Sequence, residues 1–293
     1  MKTFKKLFAG LIATSTALAT ASLPAYASGP AMAVKFAVLS DGATAIGTTK
    51  IGGVAGDVGG FTTQLTDNAR VNGNAIATSG SSGALDLGDN ARVNAMCVTG
   101  GGNVAIDNPK KPGKCIGGIE TSGTSPFLTE DAAALVDVGV LIGALSALTP
   151  NATVPDIDIA SKTKATLSFG SGVNVLLISG GFGRLLIESS STLTIQAPAN
   201  ASVVFLISST FTLHSKAKIV LKGGIKPNSV AYVVAGDTIF GANSSFAGTV
   251  LSASGNCMTD NKAKLVGAVL CEDAVSFSDG VKLTFAPLTG TFP

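Results

Sequence analysis

The chain is poor in the residues from which enzymes most often build active sites. Among its 293 residues it has no tryptophan, two tyrosines and one histidine, and charged residues make up 13%. The single histidine, His214, has no second histidine with which to hold a metal ion, so we interpret it as solvent-exposed. No Gly-x-Ser-x-Gly, phosphate-loop or His-Glu-x-x-His motif occurs. The sequence therefore predicts a protein that is not an enzyme and uses no cofactor or metal ion.

The N-terminal residues have the composition of a secretory signal peptide. Three lysines within the first six residues precede an apolar, alanine-rich stretch at 7–21, and Ala25-Tyr26-Ala27 fits the small-x-small cleavage pattern. The apolar stretch is too short and too rich in Ser and Thr for a membrane anchor. We predict a signal peptide at 1–27, cleaved after Ala27, and a secreted, extracellular protein.

Neither sign of charge dominates once that segment is removed. The whole chain has 20 basic and 18 acidic residues, and the loss of three lysines leaves 17 basic residues against 18 acidic ones. Such a balance provides no net attraction to nucleic acid or to an anionic membrane. We therefore expect neither of them as a partner.

The four cysteines form two pairs that are close in sequence, Cys97 with Cys115 and Cys257 with Cys271. An even count in an exported protein favours disulfides, and free buried thiols are the alternative. Each local bridge would stabilise the fold by about 3 kcal/mol in the chain-entropy account.

Short segments recur along the chain at offsets of coil length. DNARVN at 67–72 returns at 89–94, FAGTVL at 246–251 returns loosely at 265–270, and SSTLTI at 190–195 returns as SSTFTL. The offsets of 22, 19 and 18 positions are typical of one β-helix coil with three short strands. Apolar residues alternate with small or polar ones within each unit, as in half-buried strands. A β-solenoid explains these near-copies better than a β-sandwich, which is the competing architecture.

One segment has helical rather than strand character. Residues 129–148 are rich in Ala and Leu, contain no proline and have Thr129 as a candidate N-cap. Leu135, Val138, Ile142 and Leu145 form an apolar stripe at helical spacing. We predict a helix that packs lengthwise against the solenoid.

These parts, taken in order, resemble the secreted ice-binding-protein-like β-solenoid family. The resemblance begins at FAVLSDGA (36–43) and GDVG (56–59) and is strongest over 201–285, where apolar, Ser/Thr-rich and Val-rich strands lead into a small-Phe-x-Gly coil. The predicted helix lies where this family inserts its lateral helix. Residues 61–125 form a longer segment than the family usually has at this position, and we interpret them as an extra coil or a cap.

The resemblance implies a mainly β protein: a right-handed discontinuous β-helix with one long lateral α-helix, forming a single domain over 28–293. It also implies adsorption to ice through one flat face. Stacked coils repeat about every 4.7–4.9 Å, and alternate residues along a strand lie about 6.7 Å apart. An outward array of threonines on that grid presents methyl and hydroxyl groups that order water.

The best candidates for such an array are the threonines of the two SST segments. Their offset of 18 predicts that the two Thr-x-Thr strands stack in register, and TLSF at 166–169 adds one rung. The candidate ice-contacting residues are Thr192, Thr194, Thr210, Thr212, Thr166 and Ser168. Threonine is also a good strand former that often faces solvent for that reason alone, and this alternative stays open.

Two further functions compete with ice binding. The same scaffold suits an extracellular structural or adhesive protein of a cell surface or biofilm, with the solenoid ends available for self-association. Its partners would then be cell-surface or matrix components instead of an ice crystal surface. A polysaccharide-active enzyme is the third hypothesis, because Asp156 and Asp158 alternate along one strand, although a polar turn is the simpler interpretation of this pair.

Overall fold

The computed structural model describes residues 36–47, 50–53, 56–81, 84–290 and 292, with the backbone alone at 50–53, 130 and 131. The predicted signal peptide at 1–27 lies outside the described residues. The strands form a 19-stranded and a ten-stranded sheet, and neighbouring strands run parallel. Each coil of the chain contributes to three faces of a β-helix, because the 19-stranded sheet bends round a corner and forms two of them.

Face 1 has eleven strands, each hydrogen-bonded to the coils above and below. In stacking order they are β14 (Ala152–Val154), β17 (Gly172–Ile178), β20 (Ala201–Ile207), β23 (Val230–Val234), β25 (Ser245–Ser252), β27 (Lys264–Cys271), β1 (Phe36–Ser40), β4 (Asp57–Gly60), β7 (Ala75–Ala77), β10 (Cys97–Thr99) and β13 (Ile119–Glu120).

Face 2 shares the two longest strands with face 1, since β25 and β27 bend at Gly248 and Gly267 and pair with different neighbours on each side of the bend. Its other strands are β16 (Lys164–Ser168), β19 (Thr192–Gln196) and β22 (Lys218–Lys222) before them in the stack, and β29 (Lys282–Phe285), β3 (Lys50–Gly53), β6 (Arg70–Val71), β9 (Arg92–Val93) and β12 (Lys114–Cys115) after them.

Face 3 is the separate ten-stranded sheet. In stacking order its strands are β15 (Ile157–Ile159), β18 (Leu185–Ile187), β21 (Phe211–Leu213), β24 (Thr238–Phe240), β26 (Cys257–Thr259), β28 (Val275–Phe277), β2 (Ala43–Ile46), β5 (Thr62–Leu65), β8 (Leu85–Leu87) and β11 (Ala105–Ile106).

The stack is discontinuous in sequence. The C-terminal coil meets the N-terminal one on every face, as β27 pairs with β1, β28 with β2 and β29 with β3. The coils formed after residue 150 therefore make one half of the stack, and the coils formed before residue 121 make the other. Residues 61–125 contain β5 to β13, and these coils continue the same three faces.

A long helix, α1 (Pro126–Ser146), connects the two ends of the stack. It contacts β10, β7, β1, β25 and β23 on face 1. Its 21 residues span about 31 Å, close to the roughly 29 Å of the six inter-coil steps from β10 to β23. The lateral helix and the mainly β, discontinuous β-helical fold are thus confirmed.

The bounds of the helix differ slightly from the predicted 129–148. Ser125 is the N-cap, its hydroxyl accepting a hydrogen bond of 3.3 Å from the backbone N–H of Phe127. Pro126 occupies the first turn, where its missing N–H costs nothing, so Thr129 lies inside the helix. The apolar stripe predicted on this helix packs against face 1. Val138, Ile142 and Leu145 are buried there, and Leu135 is half-buried.

Coil length is not uniform, which corrects the single period that the sequence repeats suggested. On face 2, Lys264 pairs with Lys282 in the next coil, at the spacing of those repeats. Lys164 pairs instead with Thr192, and the following two coils, up to β25, are about as long. These three coils are longer than any of the offsets between near-copies. The longer strands β17 and β20 on face 1 and longer turns account for the extra residues.

One corner of the β-helix has the same left-handed backbone conformation in successive coils. Between faces 3 and 2, non-glycine residues adopt φ of 55–61° at Asn68, Asn90, Lys162, Ser190, Lys216, Asn243 and Lys262. Each of these N–H groups donates to a carbonyl at the same corner of the next coil, at 2.7–3.1 Å. Hydrogen bonds between coils therefore hold a conformation that L-residues otherwise disfavour.

The interior is filled by aromatic rings in the middle of the post-helix half. Tyr232 stacks on Phe205 and on Phe211 with ring centroids 5.0 and 5.1 Å apart, and Phe246 packs between Tyr232 and Phe240. All five side chains are fully buried. The Tyr232 hydroxyl donates to the carbonyl of Ala247 at 3.3 Å, and burial raises the pKa of this phenol far above its usual value.

Both predicted disulfides are present, Cys97–Cys115 and Cys257–Cys271. Each joins two different faces of the stack: β10 to β12 in one case, β26 to β27 in the other. Since Cys97, Cys257 and Cys271 are buried, the bridges lie inside the coils.

We predict opposite effects for two glycine-to-alanine substitutions. In Gly267→Ala the added methyl group would overlap the carbonyl oxygen of Gly248 in the stacked coil, and the residue has φ of 143°. Gly139 lies in α1 with open space around it. We expect Gly267→Ala to lower the free energy of unfolding by more than about 1 kcal/mol and Gly139→Ala to raise it by about 0.5–1 kcal/mol.

Denaturant unfolding of the two variants and the parent chain measures this difference. Equal stability of Gly267→Ala and the parent would contradict the close approach of these two coils.

Candidate functional site

Only two of the three faces are open along most of the stack. On face 1 the residues beneath and around α1 are buried, among them Leu39, Leu251 and Leu270. The candidate surface must therefore lie on face 2 or face 3.

The predicted threonine array is divided between these two faces. Thr192 and Thr194 lie on β19 of face 2, whereas Thr212 lies on β21 of face 3 and Thr210 directly precedes that strand. The prediction that the two Thr-x-Thr strands stack in register is wrong. They belong to one coil, in which β19 is followed by β20 and β21 before the chain returns to face 2 at β22. An offset of 18 therefore leads from one face to another instead of back to the same face.

The TLSF segment stacks on the first of the two Thr-x-Thr strands. Thr166 pairs with Thr194, and Ser168 pairs with Gln196, in the register between β16 and β19. Both Thr166 and Ser168 are exposed. The next coil places Val220 after Thr194, so the threonine column on face 2 has two rungs.

Face 3 has the more regular geometry. Its registers run through all ten strands without a shift, and in every strand except β11 a central residue points outward between two buried neighbours. The outward column is Asp158, Leu186, Thr212, Ile239, Met258, Ser276, Ala45, Gln64, Asp86 and Ala105.

The middle of this column carries no charge. Thr212, Ile239, Met258, Ser276 and Ala45 follow one another in five successive coils. They range from half-buried to exposed, and Met258 is 39% exposed. A strip of small, hydroxyl-bearing and apolar side chains therefore runs along the centre of face 3.

Charged groups lie at one end of face 3, where they are paired. Arg184 donates to Asp158 at 2.7 and 3.1 Å, and its guanidinium lies 5.0 Å from the ring centroid of Phe182. Asp156 accepts from the backbone N–H groups of Phe182 and Arg184. The carboxylates of Asp156 and Asp158 are thus engaged in structural contacts, as expected for the non-catalytic interpretation of this pair.

The opposite end of face 3 is acidic. A shallow recess there is lined by Gln64, Thr66, Asp67, Asp107 and Asp279. Its neighbour Asp86 raises the pKa of the exposed Asp107 carboxyl above the usual value, chiefly by charge repulsion.

His214 lies at the edge of face 3, next to the uncharged strip along its centre. Its side chain is 47% exposed and its Nε2 is 4.0 Å from a carboxylate oxygen of Glu188. The predicted exposure is confirmed. Within the described part of the chain, no group of His, Cys, Asp and Glu side chains has an arrangement that could hold a metal ion. The described helix also lacks the combination of length and hydropathy that a membrane-spanning segment requires.

The family model for ice-binding-like proteins matches residues 37–281. The chain belongs to this ice-binding-like family. The match covers every strand that forms face 3 and ends just before β29. No curated protein sequence matches the chain.

Three solved structures of similar fold are ice-binding proteins from Antarctic or Arctic sources. An ice-binding protein of the Antarctic ascomycete Antarctomyces psychrotrophicus is 19% identical with a TM-score of 0.55, over 88% of this chain and 97% of that one. An antifreeze-active ice-binding protein of an Arctic yeast is 15% identical with a TM-score of 0.56, over 90% and 96%. One from an Antarctic biological consortium is 17% identical with a TM-score of 0.52, over 92% and 96%. These similarities establish the shared fold.

We predict that Asp107→Asn stabilises the protein at neutral pH. The raised pKa means that the folded state favours the protonated carboxyl, so the ionised form weakens the fold above that pKa. The amide removes the repulsion from Asp86. We expect a higher Tm than the parent at pH 7, and a difference that shrinks as the pH falls through the pKa of Asp107 and the parent carboxyl becomes protonated.

Thermal unfolding followed by circular dichroism at a series of pH values tests this. Asp273→Asn, at an exposed position outside the recess, is the control for the loss of one charge. An equal gain in both variants would point to net charge instead of the local Asp86–Asp107 repulsion.

Proposed function

We propose that this protein adsorbs to ice, and that the uncharged strip along the centre of face 3 is the contacting surface. Membership of the ice-binding-like family supports ice as the ligand, and so do the solved relatives, whose names describe ice-binding proteins. No catalytic step, cofactor or metal ion is part of the proposal. Secretion by the predicted signal peptide would place the protein where extracellular ice forms.

The observation that carries the choice of face is the absence of charge from the in-register outward column around Thr212, Ile239 and Met258. Outward side chains there repeat at the inter-coil spacing of about 4.8 Å on a backbone fixed by hydrogen bonds on both sides. A rigid, weakly hydrated surface can hold an ordered water layer without first having to order itself. Methyl and hydroxyl groups suit that layer better than ions, which bind water strongly in their own geometry.

Face 2 is a poorer ice surface because one of its outward columns, the first position of each strand, consists mostly of lysine and arginine. The ammonium group is compact and strongly hydrated, and its flexible stem loses entropy when it is fixed. Of the residues that the sequence singled out, we therefore assign Thr212 to the ice-contacting strip, with Thr210 beside it directly before β21. The other candidates lie on face 2, where substitutions serve as controls for substitutions on face 3. They are Thr192, Thr194, Thr166 and Ser168.

Thr212→Tyr and Thr194→Tyr form a matched pair for testing this assignment. Both threonines are half-buried, outward residues in the middle of a strand, and they lie on different faces of the same coil. The tyrosine ring would project from either face and separate it from a flat crystal. We expect Thr212→Tyr to abolish most of the thermal hysteresis and Thr194→Tyr to leave it close to the parent value.

Circular dichroism and Tm of both variants establish that the fold is retained. The reverse pattern would assign the ice-contacting surface to face 2. Absence of thermal hysteresis and of recrystallisation inhibition in the folded parent protein would reject ice binding itself.

A further inference from the structure

We propose that face 2 binds a linear acidic polysaccharide through a ladder of lysine and arginine side chains, independently of ice binding on face 3. The ladder is the first position of every face 2 strand. In stacking order it reads Lys164, Thr192, Lys218, Ser245, Lys264, Lys282, Lys50, Arg70, Arg92 and Lys114.

The register places eight basic residues in ten successive coils, and the last six are consecutive. Adjacent rungs are about 4.8 Å apart along the stack, so the whole ladder extends over roughly 43 Å. The ladder residues Lys164, Lys218, Lys264, Lys282, Arg70, Arg92 and Lys114 are exposed.

The position of the ladder is fixed by the left-handed corner. Each described corner residue, such as Lys216 or Lys262, comes two residues before a rung, such as Lys218 or Lys264. Since the corner N–H groups bond from coil to coil, the backbone at the rungs cannot slide out of register. Corner residues Lys162, Lys216 and Lys262 add a second, shorter row of exposed ammonium groups beside the ladder.

The acidic residues closest to the ladder lie across the left-handed corner, on the face 3 side. The strands that carry the ladder contain no aspartate or glutamate. Two ion pairs between residues described with side chains, Arg184–Asp158 and His214–Glu188, lie on the face 3 side. The nearest acidic residues in sequence, among them Asp67 and Asp279, precede the corner and line the recess at face 3.

Like charges in direct register on neighbouring strands destabilise a sheet. A solvated face does not require this arrangement, because alternating signs or neutral polar residues would solubilise it without the repulsion. The repulsion is relieved when an anionic chain lies along the column and contributes charges at a comparable spacing. A straight row of single charges matches a linear polymer better than a compact anion, which could contact two or three rungs at most.

The residues beside the ladder favour a polysaccharide over a nucleic acid. The second outward column begins with Thr166, Thr194, Val220, Ala247 and Val266, which are short side chains without an aromatic ring. Proteins that bind single-stranded nucleic acid stack bases on aromatic side chains, and the aromatic residues of these strands, Phe246 and Phe285, are buried. A polyuronate, with one carboxylate on each sugar residue, can follow the ladder while its rings lie over the short side chains.

The test measures binding of a fluorescently labelled oligogalacturonate to the full-length protein by anisotropy, with dextran as the neutral polymer and duplex DNA as the competing polyanion. In the ladder variant, Lys218, Lys264 and Lys282 are all replaced by Gln. The control variant replaces Lys110, Lys111 and Lys226, which are exposed and lie off the ladder, and so loses the same charge.

We expect the parent protein to bind the oligogalacturonate in low salt and to bind dextran not at all. Affinity should be higher for an oligomer long enough to span the ladder than for one of a few residues. The ladder variant should bind about tenfold or more weakly, with a slope of log K against log salt reduced by about 2–3, since each lost contact releases about one fewer counterion. The control variant should remain within about threefold of the parent.

Absence of oligogalacturonate binding by the parent would overturn the proposal, and so would equal losses in the two variants. Tighter binding of DNA than of the oligogalacturonate would replace the polysaccharide with nucleic acid as the occupant. Thermal hysteresis of the ladder variant distinguishes this inference from ice binding, because we expect it to be unchanged. Tm in low salt checks the fold, and loss of repulsion should leave it equal to or above the parent value.

Discussion

The in-register hydrogen bonding between parallel coils is the constraint on which the rest of this structure depends. A single coil of three short strands cannot bury its apolar residues, and it gains a core only by stacking on others. Stacking then fixes every position to its counterpart one coil away, at about 4.8 Å. The aromatic stack through Tyr232, the left-handed corners and the outward columns of faces 2 and 3 are consequences of that repetition. Even the meeting of the C-terminal and N-terminal coils follows it, since β27 and β1 pair as any other neighbours do.

The helix determines which surfaces remain available. Because α1 has the length of the stack segment that it covers, it removes face 1 from solvent over the coils where β1, β7 and β25 lie. Two faces with different chemistry are left. One presents an uncharged central strip around Ile239, and the other presents the basic ladder that includes Lys264 and Lys282. Ice on face 3 and an acidic polysaccharide on face 2 would therefore not compete for the same part of the molecule.

Charge is segregated by the corner between faces 3 and 2. Acidic residues such as Asp67 and Asp279 precede the left-handed residue, and basic residues such as Arg70 and Lys282 follow it. Since the corner has the same conformation in coil after coil, the acidic residues before it line up along the stack, and so do the basic residues after it. The result is two oppositely charged edges on either side of the corner. The same repetition brings like charges on neighbouring coils close together, as at Asp86 and Asp107 near one end of the stack.

Local patterns in the sequence determined much of this protein. The alternation in segments such as TLTI predicted strands, the stripe through Val138 and Ile142 predicted the helix, and the cysteine spacing predicted both bridges. These features depend on residues that are neighbours in sequence or one turn apart. Which strands share a face was decided only in the tertiary structure. Thr194 and Thr212 occur in near-identical segments but point from different faces, because the coil there is longer than the stretch of sequence that separates them. The near-zero net charge likewise gave no sign of the basic ladder, because a net charge does not show where the charged residues lie. Only the stacking of coils aligns lysines that are distant in sequence.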